Sequence, residues 1–140
     1  MRVLVLGCNG QIGRCLQDQL KKNYFDIIYT SRKEIDISNF DDTKKKITKI
    51  NPGVIVNACA YTNVDMAEKD EVAANIVNNL AVTNLANISS KFGYWLIHIS
   101  TDYVFDGKST TPYSETDRVD PQNAYGFSKL KGELGIISSE

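Results

Sequence analysis

A strand, a glycine turn and a helix follow one another directly at the start of the sequence, and they restrict the fold more than any other feature. Residues 3–6 are apolar and predict a short buried strand, which leads straight into Gly7, Gly10 and Gly13. Glycine lets a backbone approach a bound group closely, and the N–H groups and dipole of the following helix favour negative charge. The pattern therefore predicts a pyrophosphate site, with an ordinary glycine-rich turn as the alternative, because its G-x-x-G-x-x-G spacing differs from the usual G-x-G-x-x-G.

Strands and helices alternate along the rest of the chain. Apolar and β-branched runs predict strands at residues 26–30, 34–37, 54–57 and 94–99. Recurring apolar side chains predict helices that begin at Ser38, extend over residues 71–92, and follow Pro121. A polar turn at residues 21–23 precedes the second strand. This alternation predicts an α/β fold, with a Rossmann-like, doubly wound parallel sheet that binds NAD(P).

Each predicted helix has an apolar side. Ser38 is predicted as an N-cap, with Asp41 three residues further on. The apolar positions are Ile12, Leu16 and Leu20 in the first helix, Phe40, Ile47 and Ile50 in the second, Val77, Ala81, Leu85, Ile88 and Phe92 in the third, and a stripe of Phe127, Leu130, Leu134 and Ile137 in the last. We expect the positions in the second and third helices to face inward.

Composition argues against several classes of function. Sixteen Lys and Arg against 17 Asp and Glu give a net charge of −1, so we expect no surface for nucleic acid or for an anionic membrane. No apolar run is long enough for a signal peptide or a membrane span. The three cysteines, Cys8, Cys15 and Cys59, lack metal-ligand spacing, so we expect no metal site, and reduced thiols in a cytoplasmic protein.

The residues after the second predicted strand affect the choice of cofactor. In a dinucleotide-binding fold, an acidic residue at this point binds the free ribose 2′-hydroxyl of NAD, whereas an arginine accommodates the 2′-phosphate of NADP. Ser31 and Arg32 occupy this point, and the next acidic residues are Glu34 and Asp36. The sequence therefore favours NADPH, with NADH as the alternative. The competing interpretation is that Arg32 simply points into solvent.

Polar residues interrupt two of the apolar elements, and small residues follow a third. Asn78 lies near the middle of the long helix, where it is either exposed or faces the sheet and binds water or strand backbone. His98, the only histidine, is interpreted as structural, because nothing nearby makes it a base with an orienting partner. The small residues 58–60 follow a strand at the end of the sheet where ligands bind, so they would let a ligand lie close to the backbone.

Tyr125 and Lys129 lie four residues apart in the last predicted helix, so one turn places the lysine over the tyrosine. A phenol ordinarily titrates near pKa ~10, and an adjacent ammonium favours the phenolate, so such a pair can exchange a proton near neutral pH. The hydroxyl of Thr101, at the end of the preceding strand, could share a substrate oxygen. Y-x-x-x-K is common by chance, but its combination with the glycine turn favours catalysis.

Four segments give the sequence a family resemblance. They are GCNGQIG at 7–13, NACAYTNVDMAE at 57–68, STDYVFDG at 100–107, and Tyr113, Glu115 and Asp117 with PQNAYGFSKLKGE at 121–133. On these residues the chain resembles the N-terminal half of the extended short-chain dehydrogenase/reductases, and more narrowly the dTDP-4-dehydrorhamnose reductase family. The resemblance implies that residues 1–140 form an incomplete, C-terminally truncated NAD(P)-binding Rossmann domain, without the C-terminal part that builds much of the substrate site.

The resemblance also implies a role for each matching position. Thr101, Tyr125 and Lys129 would be catalytic, with Tyr125 donating the proton and Lys129 lowering the pKa of Tyr125 and binding the nicotinamide ribose. Thr101 and Asp102, together with Tyr125, would contact the sugar. With the glycine turn and the residues after the second strand included, the expected cofactor-binding set is Gly7, Gly10, Gln11, Ile12, Gly13, Ser31, Arg32, Asp36, Ile37, Ala60, Tyr61, Thr62, Ile99, Tyr125 and Lys129.

The implied reaction is the NAD(P)H-dependent reduction of the C4 ketone of dTDP-4-dehydro-L-rhamnose to dTDP-L-rhamnose, a step of polysaccharide biosynthesis. Two alternatives remain open. One is another nucleotide-sugar reductase or epimerase of the same superfamily, and the other is a non-catalytic, cofactor-binding regulatory subunit. The intact set of Thr101, Tyr125 and Lys129 argues against the second. A truncated sheet would leave an apolar edge uncovered, which predicts association with a second copy as a homodimer.

Overall fold

In the described part of the chain, four parallel strands form one sheet. The computed structural model describes residues 1–20 and 26–139, so the polar turn predicted at 21–23 lies outside the described residues. The strands are β1 (Arg2–Leu6), β2 (Asp26–Thr30), β3 (Val54–Asn57) and β4 (Trp95–His98), in the spatial order β2-β1-β3-β4. All neighbouring pairs are parallel, which confirms the predicted α/β fold with a parallel sheet.

Helices connect the strands, as parallel strands require. They are α1 (Gln11–Gln19), α2 (Phe40–Ile50), α3 (Val64–Ala67), α4 (Glu71–Asn75), α5 (Ala81–Phe92) and α6 (Ala124–Ile137). A π-helical segment, Ile76–Leu80, joins α4 to α5 without a break, so the predicted helix over 71–92 is confirmed with one irregular stretch inside it. Within the described ranges, no helix combines the length and the hydropathy needed to cross a membrane.

The hydrophobic core joins β1 and β3 to α2 and α5. Leu4 and Leu6, alternate residues of β1, share one face of the sheet with Ile55 of β3. Ile47 of α2 and Leu85 of α5 pack against them, and all five side chains are fully buried. Burying one such side chain contributes roughly 1.5–3 kcal/mol, so this cluster holds the helices against the sheet.

Two details between β2 and α2 differ from the prediction. Residues 34–37 lie in turns and irregular backbone and not in a strand, although Ile35 and Ile37 are buried in the core. The N-cap of α2 is Asn39 and not Ser38, because the Asn39 side chain accepts the N–H of Asp42. Buried isoleucines two residues apart give the sequence signal of a strand even where the backbone turns.

Two apolar side chains do not face inward as predicted. Phe40 and Phe92 are exposed, whereas Ile47, Ala81, Leu85 and Ile88 are buried as predicted. The exposed residues lie at the start of α2 and at the end of α5. Helix ends extend past the sheet that the helix covers, so periodicity overestimates burial there.

Helix α6 packs through small side chains and not through its apolar stripe. The stripe is exposed at Phe127, Leu134 and Ile137. The buried residues are Gly126, Ser128, Lys129 and Gly132. A Cβ atom on Gly132 would overlap the main-chain oxygen of Asn78 in the π-helical segment, so α6 lies too close for a larger side chain there.

Strand β4 is one edge of the described sheet. Trp95 and Ile97 alternate along it and are 76% and 50% exposed, while Leu96 between them packs against the core. The apolar edge expected from the sequence is therefore present in the described part of the chain. Association with a second copy through it stays a prediction.

The strand order reverses between β1 and β3. The chain leaves β1 for β2 on one side of the sheet and later returns to β3 on the other side. In an open parallel sheet, the loops at the carboxyl ends of two such strands separate and leave a crevice in which ligands bind. The glycine turn after β1 and the small residues after β3 both lie at this crevice.

We predict that Gly132→Ala destabilises the protein by about 1–3 kcal/mol, because the added methyl group forces α6 away from the π-helical segment. The gain in helix propensity on replacing glycine would work in the opposite direction. Urea unfolding of the two proteins measures the change. Lys131→Ala, at an exposed position of the same helix, is the matched control and should be nearly neutral. An equal or higher midpoint for Gly132→Ala would contradict the close packing.

Candidate functional site

Two adjoining cavities open at the crevice. The β2-side cavity has a volume of about 300 Å³ and is lined by Gly7, Asn9, Gly10, Arg32, Ile35, Asp36, Ile37, Ala58, Cys59, Ala60, Tyr61 and Val77. The α6-side cavity, of about 380 Å³, is lined by Gly10, Gln11, Ile12, Asn57, Ala58, Cys59, Ala60, Thr62, Ile99, Ser100, Tyr125 and Lys129. They share Gly10 and residues 58–60, so one elongated molecule could occupy both.

The glycine turn has a conformation that only glycine adopts readily. Gly7 has a φ of 82°, and a Cβ atom there would lie 2.9 Å from the Cys59 sulfur. The N–H groups of Gly7 and Cys8 donate to the Thr30 carbonyl at 2.9 and 3.0 Å, which ties the turn to the end of β2. Gly10 is the N-cap of α1 and has no side chain to cap the helix. The main-chain N–H groups at this helix start can therefore serve an anion.

Arg32 lines the β2-side cavity while most of its side chain remains in solvent. Its Nε donates to the Asp36 carboxylate at 3.0 Å, and its side chain is 80% exposed. Asp36 also accepts hydrogen bonds from the hydroxyl and the N–H of Ser38, at 2.6 and 3.0 Å. The Ser38 hydroxyl is the main cause of a lowered pKa for Asp36, with a further contribution from Arg32. The two charged side chains form a solvent-exposed ion pair at the outer end of the cavity.

Glu34, the first acidic residue after β2, lies close to the end of the strand. A turn after Ser31 brings the Glu34 carboxylate back, so that it accepts the Ser31 N–H at 2.7 Å and the Ser31 hydroxyl at 2.8 Å. These two bonds, the main-chain one first, lower the pKa of Glu34. Ser31, an expected cofactor contact, therefore has both donors engaged, and it does not line either cavity.

Asn78 connects the loop after β3 to α6. Its side-chain oxygen accepts the Tyr61 N–H at 2.8 Å, and its nitrogen donates to the Tyr61 carbonyl at 3.0 Å and to the Ser128 hydroxyl at 3.0 Å. The Ser128 hydroxyl in turn donates to the Tyr125 carbonyl at 2.7 Å. Asn78 is buried and binds backbone, which was one of the two arrangements expected. It fixes the Tyr61 loop relative to the helix turn that carries Tyr125.

Helix α6 brings Tyr125 and Lys129 into the α6-side cavity. Asn123 caps the helix by accepting the Gly126 N–H at 2.7 Å, and the first turn then presents Tyr125. Lys129 is almost fully buried, and its ammonium nitrogen lies against the Ile99 carbonyl and 3.1 Å from Nε2 of His98. Both residues line the same cavity, which agrees with the predicted position of the two residues one helical turn apart.

Burial controls the protonation of Lys129. It lowers the pKa of the amine to about 8, while the Glu133 carboxylate on the next turn acts in the opposite direction. An amine with this pKa is still mostly charged at pH 7 but exchanges its proton readily near neutral pH. This is an electrostatic setting typical of functional lysines.

His98 has two partners, so the expectation that none would orient it is wrong. Its Nδ1 lies 3.1 Å from the side-chain nitrogen of Asn57, and its Nε2 lies 3.1 Å from Lys129. Burial, and then the positive charge of Lys129, lowers the pKa of His98 to about 4. The ring is therefore neutral at pH 7. Spacing in the sequence could not reveal the contact, because the three residues come from β3, β4 and α6.

Four of the predicted site residues lie outside both cavity linings. Gly13 is buried in α1 behind the turn, and Ser31 is engaged by Glu34. Thr101 caps the short 3₁₀ turn Asp102–Val104, where its hydroxyl accepts the Tyr103 N–H at 3.2 Å. Asp102 is exposed beside it. Thr101 and Asp102 follow β4 and therefore lie at the carboxyl end of the sheet, beyond the α6-side cavity.

Sequence reasoning left several cavity residues out of the predicted site. The cavity-lining residues that were not predicted are Asn9, Ile35, Asn57, Val77 and Ser100. Their only signal in the sequence was a position at a strand end or within a predicted element. Cys59, on the wall common to both cavities, is a thiol whose pKa burial raises to about 11. Its thiol is therefore uncharged at pH 7 and forms part of the cavity wall. Within 1–20 and 26–139, no cluster of three acidic, histidine or cysteine side chains is arranged to hold a metal ion.

Comparison with known proteins gives consistent matches over the whole chain. The family model of the RmlD substrate binding domain matches residues 1–140. A dTDP-4-dehydrorhamnose reductase of Burkholderia thailandensis is 44% identical over 139 residues, which make up 99% of this chain and 46% of that protein. The spore coat polysaccharide biosynthesis protein SpsK of Bacillus subtilis is 39% identical over 132 residues, with coverages of 94% and 47%.

Solved structures are also similar to this chain over all or nearly all of its length. A dTDP-4-dehydrorhamnose reductase from Clostridium acetobutylicum superimposes with a TM-score of 0.97 at 38% identity, over 100% of this chain and 50% of that one. The dTDP-4-dehydrorhamnose reductase from Bacillus anthracis, solved in complex with NADP, gives a TM-score of 0.95 at 37% identity, over 99% and 50%. The chain spans about half the length of the curated relatives it matches.

We predict that His98 makes stability fall with decreasing pH between about 6.5 and 4. Between these pH values, His98 is protonated in the unfolded chain but remains neutral in the folded protein. The contribution of the neutral His98 ring to the free energy of unfolding is therefore fully present above pH 6.5 and is lost as the pH falls toward 4. Urea unfolding at pH 7 and at pH 4.5 should show wild type losing about 2 kcal/mol more than His98→Gln. Lys129 does not contribute to the difference because it is protonated in both states there. Equal losses would show that His98 titrates normally in the folded protein.

Proposed function

This chain belongs to the RmlD substrate binding domain family, and from that premise we propose that it is the cofactor-binding half of a dTDP-4-dehydrorhamnose reductase. The observation that carries the proposal is the α6-side cavity, where Tyr125 and Lys129 face the N-terminus of α1 across the crevice. A glycine turn alone would fit any nucleotide-binding protein. A tyrosine and a buried lysine in the same cavity are what a reductase of this type needs.

The cavity residues fit a nicotinamide dinucleotide. Small residues at 7, 10 and 58–60 leave room for the pyrophosphate against the backbone, and the uncapped start of α1 offers N–H groups to its charge. The β2-side cavity, with Ile35, Ile37 and Asp36, would hold adenine and its ribose. In the α6-side cavity, Lys129 and Tyr125 would hold the nicotinamide ribose. One molecule in both cavities would thus run from Arg32 to Tyr125.

The cofactor is proposed to be NADPH, with NADH also accepted. Arg32 lies at the adenine end, where it could pair with a 2′-phosphate. The carboxylates of Asp36 and Glu34 stand nearby and would hydrogen-bond a free 2′-hydroxyl but repel a phosphate. Because both signs of charge are present, this end of the cavity could bind either cofactor. The positive charge of Arg32 would make the affinity for NADPH the higher of the two.

The proposed roles at the reacting end follow from the chemistry of the side chains. Tyr125 would donate its phenolic proton to the oxygen of the C4 ketone as negative charge develops there. Lys129 as an ammonium would stabilise the phenolate that remains, and Thr101 would donate a hydrogen bond to the same oxygen. The chemistry that reduced nicotinamide supplies when bound is a hydride for that ketone, which gives dTDP-L-rhamnose from dTDP-4-dehydro-L-rhamnose.

The substrate side would need more than the described residues. Asp102 and the hydroxyl of Thr101 lie at the carboxyl end of β4 and would contact the sugar. The relatives are about twice as long as the matched region, so the nucleotide of the substrate would be bound mainly by their other half. We therefore propose cofactor binding for this chain and turnover for the whole-length enzyme.

The cofactor assignment predicts an uneven effect of Arg32→Ala. NADPH binding, followed by fluorescence titration, should weaken on the order of 10-fold, because the variant loses the cation and leaves the Asp36 carboxylate unpaired. NADH binding should change little. Lys33→Ala, which removes the next cation at an exposed position, is the control and should leave both affinities unchanged. Equal weakening for both cofactors would refute a role for Arg32 at the 2′-phosphate.

The catalytic assignment predicts that Tyr125→Phe, placed in a whole-length reductase that carries this half, lowers kcat by about 10²–10⁴-fold through loss of the proton donor. Binding of NADPH should stay within a few-fold of wild type, since the ring itself is retained. Tyr94→Phe, before β4 at the opposite end of the sheet, is the control. Unchanged kcat in Tyr125→Phe would remove this residue as the acid and would leave the cofactor-binding proposal intact.

A further inference from the structure

Three polar side chains lie in a row across the carboxyl ends of β3 and β4, with neighbouring nitrogen atoms 3.1 Å apart, and the row ends on Lys129. Asn57, the last residue of β3, is buried, and its side-chain oxygen accepts the Cys59 N–H at 3.1 Å. Its side-chain nitrogen lies 3.1 Å from Nδ1 of His98, and Nε2 of His98 lies 3.1 Å from Nζ of Lys129. Each contact limits which nitrogen of the next side chain can carry a proton.

The Asn57 amide decides the tautomer of His98. An amide nitrogen only donates, and an amide oxygen only accepts. Because the oxygen is held by the Cys59 N–H, the nitrogen faces Nδ1 of His98, which must therefore be the unprotonated, accepting nitrogen. A neutral imidazole carries its single proton on the other nitrogen. Rotating the amide by half a turn would set its nitrogen against the Cys59 N–H, a donor against a donor.

This tautomer presents a donor to Lys129. An ammonium group has three donors and no acceptor, so a charged Lys129 meets the Nε2–H of His98 without a hydrogen bond. A neutral amine has a lone pair and accepts that proton, while one of its own N–H groups still donates to the Ile99 carbonyl. The contact is satisfied in the neutral form of Lys129 only.

The other groups around Lys129 do not cancel this effect. Glu133, on the same helix, favours the charged form, and its carboxylate is also hydrogen-bonded by Ser100 after β4. The Tyr125 phenol and the Cys59 thiol share the cavity. The thiol is neutral at pH 7 because burial raises its pKa. His98 is thus the group from β4 that opposes the charge.

We propose that His98, fixed by Asn57 with its proton on Nε2, is a positioning residue that adds to burial in favouring the neutral amine of Lys129 and so helps this lysine to exchange its proton near neutral pH. The inference deepens the proposed function, since its catalytic meaning rests on Lys129 acting beside Tyr125. Between turnovers the ammonium form of such a lysine would give a proton to the tyrosine phenolate, and the neutral amine that remains would take up a proton from solvent. Burial alone would lower its pKa without needing any particular tautomer.

The test uses NMR on the 140-residue chain without cofactor or substrate, so its outcome does not depend on the proposed reductase activity. The single histidine makes ¹⁵N-histidine spectra unambiguous. We expect a protonated Nε2 and a bare Nδ1 throughout pH 6–9. A protonated Nδ1 would overturn the proposal outright, because Nε2 would then accept from a charged Lys129.

The titration of Lys129 is the second measurement, followed through its ¹³Cε shift with the exposed Lys131 as internal control. Wild type should show a midpoint near 8. In His98→Gln the amide can turn its oxygen to Lys129, so the midpoint should rise by about one pH unit or more while that of Lys131 stays fixed. An unmoved Lys129 midpoint in this variant would overturn the proposal, since a merely structural histidine predicts that result.

Asn57→Asp tests the first link in the same way. A carboxylate would accept from Nδ1–H and switch the ring to the other tautomer, so both the histidine spectrum and the Lys129 midpoint should change. A tautomer that persists in the folded variant would count against Asn57 as the residue that fixes it. If the buried carboxylate prevents folding, the wild-type tautomer and the His98→Gln titration still decide the proposal.

Discussion

The close approach of α6 to the π-helical segment is the constraint on which the site depends. Asn78 is fully buried at this junction, and its amide binds both polar groups of Tyr61 and the hydroxyl of Ser128. Gly132 lets the main chains meet there. Without this contact, α6 would lie further from the sheet, and Lys129 would not reach the end of β4. A short irregular stretch of one helix thereby determines the position of the residues that line the α6-side cavity.

Much of the fold was predictable because its signals are local. The strand–glycine–helix sequence at residues 3–13 and the apolar runs of β2, β3 and β4 each depend on neighbours within a few residues. The pairing of Tyr125 with Lys129 was predictable for the same reason, since one helical turn relates them. Their arrival beside Gly10 followed from a general rule about the ends of parallel strands.

The remaining features depend on contacts between distant parts of the chain. Whether Asn57, His98 and Lys129 meet is set by the register of β3 with β4 and by the depth of α6, which no local pattern encodes. The apolar stripe of α6 was misleading because close helix packing selects small residues, and periodicity weighs only hydrophobicity. Glu34 returns to Ser31 through a turn, and buried Ile35 and Ile37 made that turn resemble a strand.

The exposed position of Trp95 makes the molecule convenient to follow optically. It is the only tryptophan, it is 76% exposed, and it lies at the end of β4 opposite the crevice. We therefore expect its emission at the long wavelength of an indole in water, open to collisional quenching by small solutes. Anything that covers the β4 edge would shield the indole and shift the emission to shorter wavelength. A fluorescence spectrum thus reports directly on the state of the strand edge, independently of the chemistry at the other end of the sheet.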